Sequence, residues 1–262
     1  PLNGNMPRVT YEGYGEMSDV CIKRKIRNRL LDAGENIFVQ SDDKNTDGYK
    51  SLKARAEANE AFGAELKKGK KADAQRGYEI ACKEWMDVRS FGQVFAFKGS
   101  DLSLGIRGPV SVQPAFSVDP IDITSMQITK SVNSEDKEGK SSDTMGMKHR
   151  VDFGVYILKG SINVQLSEKT GFTEEDAEKI KEAIRTLFVN DSSSARPDGS
   201  MVMHKLYWWK HNCKIGQYSS HKVHNSIEIK KKEGVRNPRK IEDYEIICHE
   251  LPGLAVEEYE GL

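Results

Sequence analysis

The chain has 262 residues, 31% of them charged, with 40 Lys and Arg against 40 Asp and Glu, so it lacks the strongly basic balance typical of many nucleic-acid binders. Its four cysteines, Cys21, Cys82, Cys213 and Cys248, include no Cys-x-x-Cys pair; that argues against a disulfide framework or a four-cysteine zinc site and fits a reducing cytoplasm. No apolar run reaches membrane-spanning length and no signal peptide is visible, so no membrane partner is expected, and the length suffices for one large domain or two small ones.

Residues 1–16 are rich in turn formers and aromatics and read as a loop. The chain opens abruptly on Pro-Leu-Asn-Gly-Asn-Met-Pro-Arg, so an N-terminal element of the fold is expected to be missing. Ser18 suits a helix N-cap, Asp19 the positive helix end and Gly34 the stop. Between them Ile22, Ile26, Leu30 and Ala33 share one helical face. Five cations (Lys23, Arg24, Lys25, Arg27, Arg29) stand against Asp19 and fan out from both shoulders of that stripe. Arg24 and Arg27 are placed to present planar donor forks to phosphates. The competing reading is an ordinary solvated basic surface.

From Glu35 to about Thr46 the sequence is irregular around Ile37-Phe38-Val39. Residues 49–71 read as a polar helix ending in a mobile basic loop, Lys67-Lys68-Gly69-Lys70-Lys71. Residues 73–88 read as a helix burying Ile80, Ala81, Trp85 and Val88, with Ser90–Phe97 continuing it or forming a short apolar turn. Residues 35–100 together predict a helical insertion rather than part of a regular sheet. Ile106–Gln113 alternates β-branched and polar residues and predicts a strand. A protrusion over 119–149 follows, with Ser134–Asp143 as a solvated tip or disordered loop. Val151–Leu158 predicts a strand that Lys159-Gly160 turns into Ser161–Leu166 as a hairpin. Thr173-Glu174-Glu175-Asp176 is a capping box, and Ala177, Ile180, Ile184, Leu187 and Phe188 give its helix an apolar stripe. Met203–Lys210 predicts a strand whose adjacent Trp208 and Trp209 cover both sheet faces.

Supplying one strand ahead of the first helix gives the order β-α-β-β-α-β, the ferredoxin-like plan of RNA-recognition motifs. Charge is also segregated along the chain. Residues 204–240 hold ten Lys and Arg against Glu228 and Glu233, whereas residues 241–262 hold seven acids and no Lys or Arg. That polarity suits a protein that holds a polyanion and meets copies of itself through complementary faces. The acidic end is expected to dock on the basic 204–240 region of the next subunit, through Glu257 and Glu258.

Several segments, taken in order, resemble the repeated backbone subunit of CRISPR type I Cascade surveillance complexes, most closely the type I-C version. They are Asn3–Arg8, Ser18–Arg29, Ile106–Ala115, Ile128–Ser131 and His149–Tyr156. The resemblance implies an α+β fold with an RNA-recognition-motif-like palm (residues 1–34, 101–118 and 150–262), helical fingers (35–100) and a β-hairpin thumb (119–149). It implies several copies polymerised along one CRISPR guide RNA in antiviral defence, holding its phosphates and leaving bases free to pair with target DNA. Lys23, Arg24, Lys25, Arg27, Asn28 and Arg29 would then lie against the guide, with Arg107 and Gln113 near them on the palm edge. Met126, Ile128 and Lys130 would sit at the thumb's kink in the guide. The partners implied are the guide, target DNA, further copies of the chain, the guide-processing endonuclease subunit, the large subunit and a recruited helicase-nuclease. No cofactor, metal or catalytic residue is implied. The RNP aromatic pattern of simple RNA-recognition motifs is missing: Tyr156, Tyr207, Trp208 and Trp209 read as core.

Three other readings stand beside this one. His204, His211, Cys213, His221 and His224 lie close in sequence and carry zinc-type donors, but without a recognised ligand spacing. Asp119, Asp122 and His149 flank the protrusion, as in the RNA-cleaving backbone subunits of type III complexes, which use a thumb acid. The third is a protein-interaction scaffold that never touches nucleic acid.

Overall fold

The computed structural model describes residues 4–132 and 145–262. In chain order these form β1 (Tyr14–Met17), α1 (Asp19–Asp32), α2 (Leu52–Ala58), α3 (Glu60–Lys67), α4 (Ala74–Glu84), α5 (Met86–Phe91), β2 (Gly92–Ala96) and β3 (Ser103–Arg107). Then come β4 (Val110–Val112), β5 (Ala115–Pro120), β6 (Ile123–Thr129), β7 (Met145–Val151), β8 (Tyr156–Ile157), β9 (Gly160–Ile162), α6 (Val164–Thr170) and α7 (Glu174–Arg185). The last elements are β10 (Lys205–Trp209), α8 (Ser220–His224), β11 (Ile227–Lys231), β12 (Tyr244–Cys248) and β13 (Val256–Glu260). All strand pairs are antiparallel. β5 lies between β1 and β8 in a three-stranded sheet, and the other strands pair as β2–β3, β4–β9, β6–β7, β10–β13 and β11–β12. This is a mixed α/β chain built on small antiparallel sheets.

The chain divides into two compact units. The first takes the described residues of Pro1–Asp19, Gln113–Lys159 and Asn225–His249; the second takes Val20–Val112, Gly160–His224 and Glu250–Leu262. The 119–149 protrusion lies wholly in the first unit and residues 35–100 wholly in the second.

In the second unit, Ile22, Ile26 and Leu30 of α1 are buried as their spacing predicts, whereas Ala33 lies past the helix end and is exposed. The core of the helical segment is aromatic. Phe38, Phe62 and Phe95 are fully buried and Trp85 nearly so, with ring centroids 4.6–5.0 Å apart for Phe38–Trp85, Phe38–Phe95 and Phe62–Phe95. Each such side chain contributes about 1.5–3 kcal/mol by leaving water.

Several local expectations for this unit need correction. The helix read over 73–88 breaks at Trp85, whose extended backbone ends α4 and starts α5. Residues 92–96 are strand β2 paired with β3, so residues 35–100 are not purely helical. Gly92, at φ 81°, ends α5, and a Cβ there would meet the Ile106 carbonyl oxygen at 2.2 Å. The strand read over 106–113 is cut by Gly108-Pro109 into β3 and β4. The hairpin read at 151–166 does not form. β9 pairs with β4, and Asn163 caps α6 by accepting from the Leu166 N–H at 2.9 Å.

The basic turn after α3 is built rather than loose. Buried Glu65 pairs with Lys68 and Arg76 and accepts from the Asp73 N–H. These contacts, with the Lys68 hydrogen bond first, hold its carboxyl below the ordinary range. The capping box of α7 is present as predicted, Thr173 and Asp176 exchanging bonds at 3.0 and 3.2 Å. On β10, Trp209 packs against Val223, Leu251 and Leu254, while Lys181 stands over the Trp208 ring.

In the first unit, residues 1–16 are not loop throughout: Tyr14–Met17 is β1, paired with β5. Gly15 fits there because a Cβ would collide with the Tyr156 hydroxyl at 2.1 Å, and its N–H donates to Ser117 Oγ at 2.8 Å. The 119–149 protrusion contains the β6–β7 hairpin. The predicted tip, Ser134–Asp143, lies outside the described residues.

Candidate nucleic-acid interface

The cations of α1 are more tightly held than a fan of free side chains. Lys25 is 4% exposed and ion-paired to Asp191. Arg27 donates from Nε to Asp87 Oδ2 at 2.9 Å and stacks over the Phe91 ring at 4.9 Å. Arg24 donates to the Val39 carbonyl at 2.7 Å. Burial, then the neighbouring Arg27 charge, lowers the Arg24 pKa from its ordinary value. Arg29 bonds Thr186 Oγ1 and Asp32. Lys23 and Asn28 are half-buried. The fringe is therefore largely a set of internal ties, and the picture of cations fanning out from the apolar stripe is corrected on that point. The acids responsible, Asp87 and Asp191, are far away in sequence.

Arg107 is exposed at the end of β3, in register with Gly92. Gln113, in the other unit, has an exposed side chain, and its N–H donates to the Lys159 carbonyl at 2.9 Å.

The β6–β7 hairpin exposes apolar side chains on both strands. Residues facing one another across an antiparallel pair share a face. Thr124–Arg150, Met126–Lys148 and Ile128–Gly146 therefore line one face, and Ser125–His149, Gln127–Met147 and Thr129–Met145 the other. Met126 and Ile128 are 39% and 47% exposed, and Met145 and Met147 are 64% and 50% exposed. Lys130 and Lys148 are exposed, and Arg150 is ion-paired to Asp152. The first face thus alternates apolar wedges with cations, a combination that fits bases and phosphates together. Sequence reading placed Met126, Ile128 and Lys130 here but missed Lys148 and Arg150. The register that makes Lys148 a neighbour of Met126 depends on pairing across the residues between the strands.

The zinc-type donors do not converge. His211 accepts from the Gln217 N–H, His224 bonds the Gly160 carbonyl, and among the described residues no group of three His, Cys, Asp or Glu side chains is assembled for a metal. Of the acids considered for RNA cleavage, Asp119 accepts from the Tyr244 hydroxyl at 2.7 Å and pairs with Lys231, Asp122 pairs with Arg239, and His149 bonds Ser125. The acidic C-terminal strand meets partners within the chain. Glu257 pairs with Lys181 and Glu258 with Lys205, and both carboxylates keep close to half of their side-chain surface exposed. No helix among the described residues is long and apolar enough to cross a membrane.

Small antiparallel sheets and a two-stranded ribbon that mixes cations with apolar side chains define a mixed α/β protein. The family model for CRISPR-associated protein Cas7 matches residues 1–249, and the chain belongs to that family. It is 22% identical over 211 residues to a CRISPR-associated protein Cas7 of Haloferax volcanii, an alignment covering 74% of this chain. It spans about 60% of the length of that relative. Among solved structures it is similar to a chain of a "CRISPR RNA-guided surveillance complex, pre-nicking", at 17% identity and TM-score 0.43, over 72% of this chain and 67% of that one.

Proposed function

We propose that this chain is the guide-RNA-binding backbone subunit of a type I-C Cascade complex, working in the cytoplasm and polymerising along a CRISPR guide for interference with target DNA. The family match over residues 1–249 carries this reading. The ribbon face of Met126, Ile128, Lys148 and Lys130 supports it, because it offers wedges for bases beside cations for phosphates. In this reading residues 119–149 are the thumb, 35–100 the fingers, and the remainder an RNA-recognition-motif-like palm. Lys23, Arg24, Arg27, Asn28, Arg29, Arg107 and Gln113 remain the palm contacts proposed, with Lys25 the weakest candidate because its charge is already matched by Asp191.

The subunit is proposed to be non-catalytic and cofactor-free. The engagement of both Asp119 oxygens supports this, one accepting from the Tyr244 hydroxyl and the other paired with Lys231. Its proposed partners are the guide, further copies of itself, the endonuclease and large subunits, and the recruited helicase-nuclease.

The test is to purify the chain and ask whether RNA accompanies it, whether it forms filaments or rings on short RNA, and whether affinity falls steeply with salt. Absence of RNA binding at low salt would refute the reading. Cleavage of a labelled guide, lost on Asp122→Ala, would refute the non-catalytic part.

A further inference from the structure

A two-stranded ribbon has little stability of its own, and β6–β7 exposes apolar side chains on both faces instead of burying them in a core. Its direction must therefore be set at its root. The chain enters there through Asp119-Pro120-Ile121-Asp122 and leaves through Asp152-Phe153-Gly154-Val155. The Asp152 N–H donates to the Asp122 carbonyl at 3.1 Å, and the Ile121 N–H to the Gly13 carbonyl at 3.0 Å. The root also gathers three carboxylates, Asp119, Asp122 and Asp152, which would repel one another if unmatched.

Each carboxylate has its own cation. Lys231 Nζ lies 3.1 Å from Asp119, Arg239 3.1 Å from Asp122, and Arg150 2.9 Å from Asp152, which also accepts from Thr124 Oγ1. Two of those cations come from the end of β11 and from the loop joining it to β12. That loop also leads into Tyr244, whose buried hydroxyl donates to Asp119 and whose ring lies 6.5 Å from that of Phe153. The loop is itself fixed: Asp243 accepts from the Arg239 and Lys240 N–H groups, and the Lys232 N–H donates to the Asp243 carbonyl. Loop and root enclose a pocket of about 150 Å³ lined by Asp119, Asp122, Arg236 and Arg239. They meet through discrete polar bonds across that pocket and through the Tyr244–Phe153 ring contact.

We propose that the β11–β12 segment is a clasp that fixes the direction in which the hairpin leaves its sheet. Lys231, Arg239 and Tyr244 are its positioning residues. The consequence for nucleic acid rests on the function proposed above: the clasp sets where along a guide the ribbon's wedges fall.

Hydrogen exchange on the full-length chain tests the clasp without RNA. Arg239→Ala, Lys231→Ala and Tyr244→Phe should each speed exchange across residues 145–152 by about threefold to tenfold. The charge-exchanged pair Asp122→Arg with Arg239→Asp should return to within about twofold of the native rate. Native protection in all three single variants, or no recovery in the exchanged pair, overturns the proposal. If Tyr244→Phe also loosens α7, the exposed Arg239 pair alone decides, because its removal leaves no buried group unsatisfied.

Nuclease protection of a bound RNA is the second readout. Clasp variants should keep affinity within about threefold while losing the regular spacing of protected positions. An unchanged ladder in variants with faster exchange overturns the positioning role. Failure of the native chain to bind RNA overturns the proposed function instead, and leaves the exchange result to judge the clasp.

Discussion

Arg27 and Asp87 form an ion pair that ties α1 to α5, Nε to Oδ2 at 2.9 Å, with the carboxylate only 1% exposed. Asp87 also accepts from the Phe38 and Val39 N–H groups at 2.7 and 3.1 Å. One buried carboxylate thus anchors the basic helix, the irregular segment after it, and the edge of the aromatic core. The composition of α1 resembles a phosphate clamp, but part of its charge is already used in holding the chain together.

Asp87→Asn should therefore destabilise the chain by about 3–5 kcal/mol, since it leaves Arg27 charged, near-buried and without its anion. An apolar double replacement, Arg27→Met with Asp87→Leu, should recover only part of that, because two backbone N–H groups still lose their acceptor. Urea unfolding monitored by tryptophan fluorescence measures both. A change below about 1 kcal/mol for Asp87→Asn would contradict the assigned pairing. Arg27→Ala is consequently a poor probe of RNA binding, and Arg107→Ala is a better one.

Local patterns in the sequence carried α7 and the apolar stripe of α1, because capping chemistry and periodicity act within a few residues, whereas the hairpin at 119–149 came only with the family resemblance. What escaped depended on long-range pairing. β1 is four residues long with Gly15 inside it, and becomes a strand only through its register with β5. β9 pairs with β4, a partner of which the turn at Lys159-Gly160 gives no local sign. For the same reason α1 read as a free basic fringe: Asp191 is 166 residues from Lys25, and Asp87 is 60 from Arg27. The candidate ribbon was legible as far as Met126, Ile128 and Lys130, while Lys148 needed the cross-strand register.

Acid should weaken the second unit through Asp176. Burial alone would raise its pKa, but the bidentate pair with Arg89, at 2.8 and 2.9 Å, and the Thr173 N–H outweigh burial and hold it below the ordinary aspartate range. The folded state thus binds this proton more weakly than the unfolded one. The stabilisation is fully present above the unfolded value near pH 4 and is lost as pH falls through the lower folded value. Arg89→Ala should cost about 3–5 kcal/mol at neutral pH and flatten that acid limb. Urea midpoints between pH 7 and pH 3 measure it; parallel limbs in the two proteins would contradict the pairing.

Cys82 should be chemically silent in the folded protein. Burial pushes its thiol up to about 11, against the smaller opposing effect of the Tyr78 hydrogen bond. Cys21 and Cys213 are exposed and should react first with a thiol reagent at pH 8. The unfolded thiol ionises lower than the folded one, so this group's contribution to stability is whole below about pH 8.5 and declines toward pH 11. Mass mapping of labelled peptides decides: rapid native labelling of Cys82 would mean that α4 opens easily.

The ribbon's two kinds of side chain should separate in binding. Lys130 and Lys148 are exposed, so Lys130→Ala with Lys148→Ala should leave stability within about 0.5 kcal/mol. If each cation neutralises one phosphate, the double change should reduce the slope of log affinity against log salt by roughly 1.4, about 0.7 per contact on a single strand. Ile128→Ser should behave differently. It faces Gly146, which contributes no side chain to shield it, so its loss removes a wedge without removing charge. The salt slope should then stay unchanged, while chemical probing of the bound RNA should lose its most reactive, unstacked positions. A reduced slope with Ile128→Ser, or an unchanged one with the lysine pair, would reverse these roles and move the phosphate contacts off the ribbon.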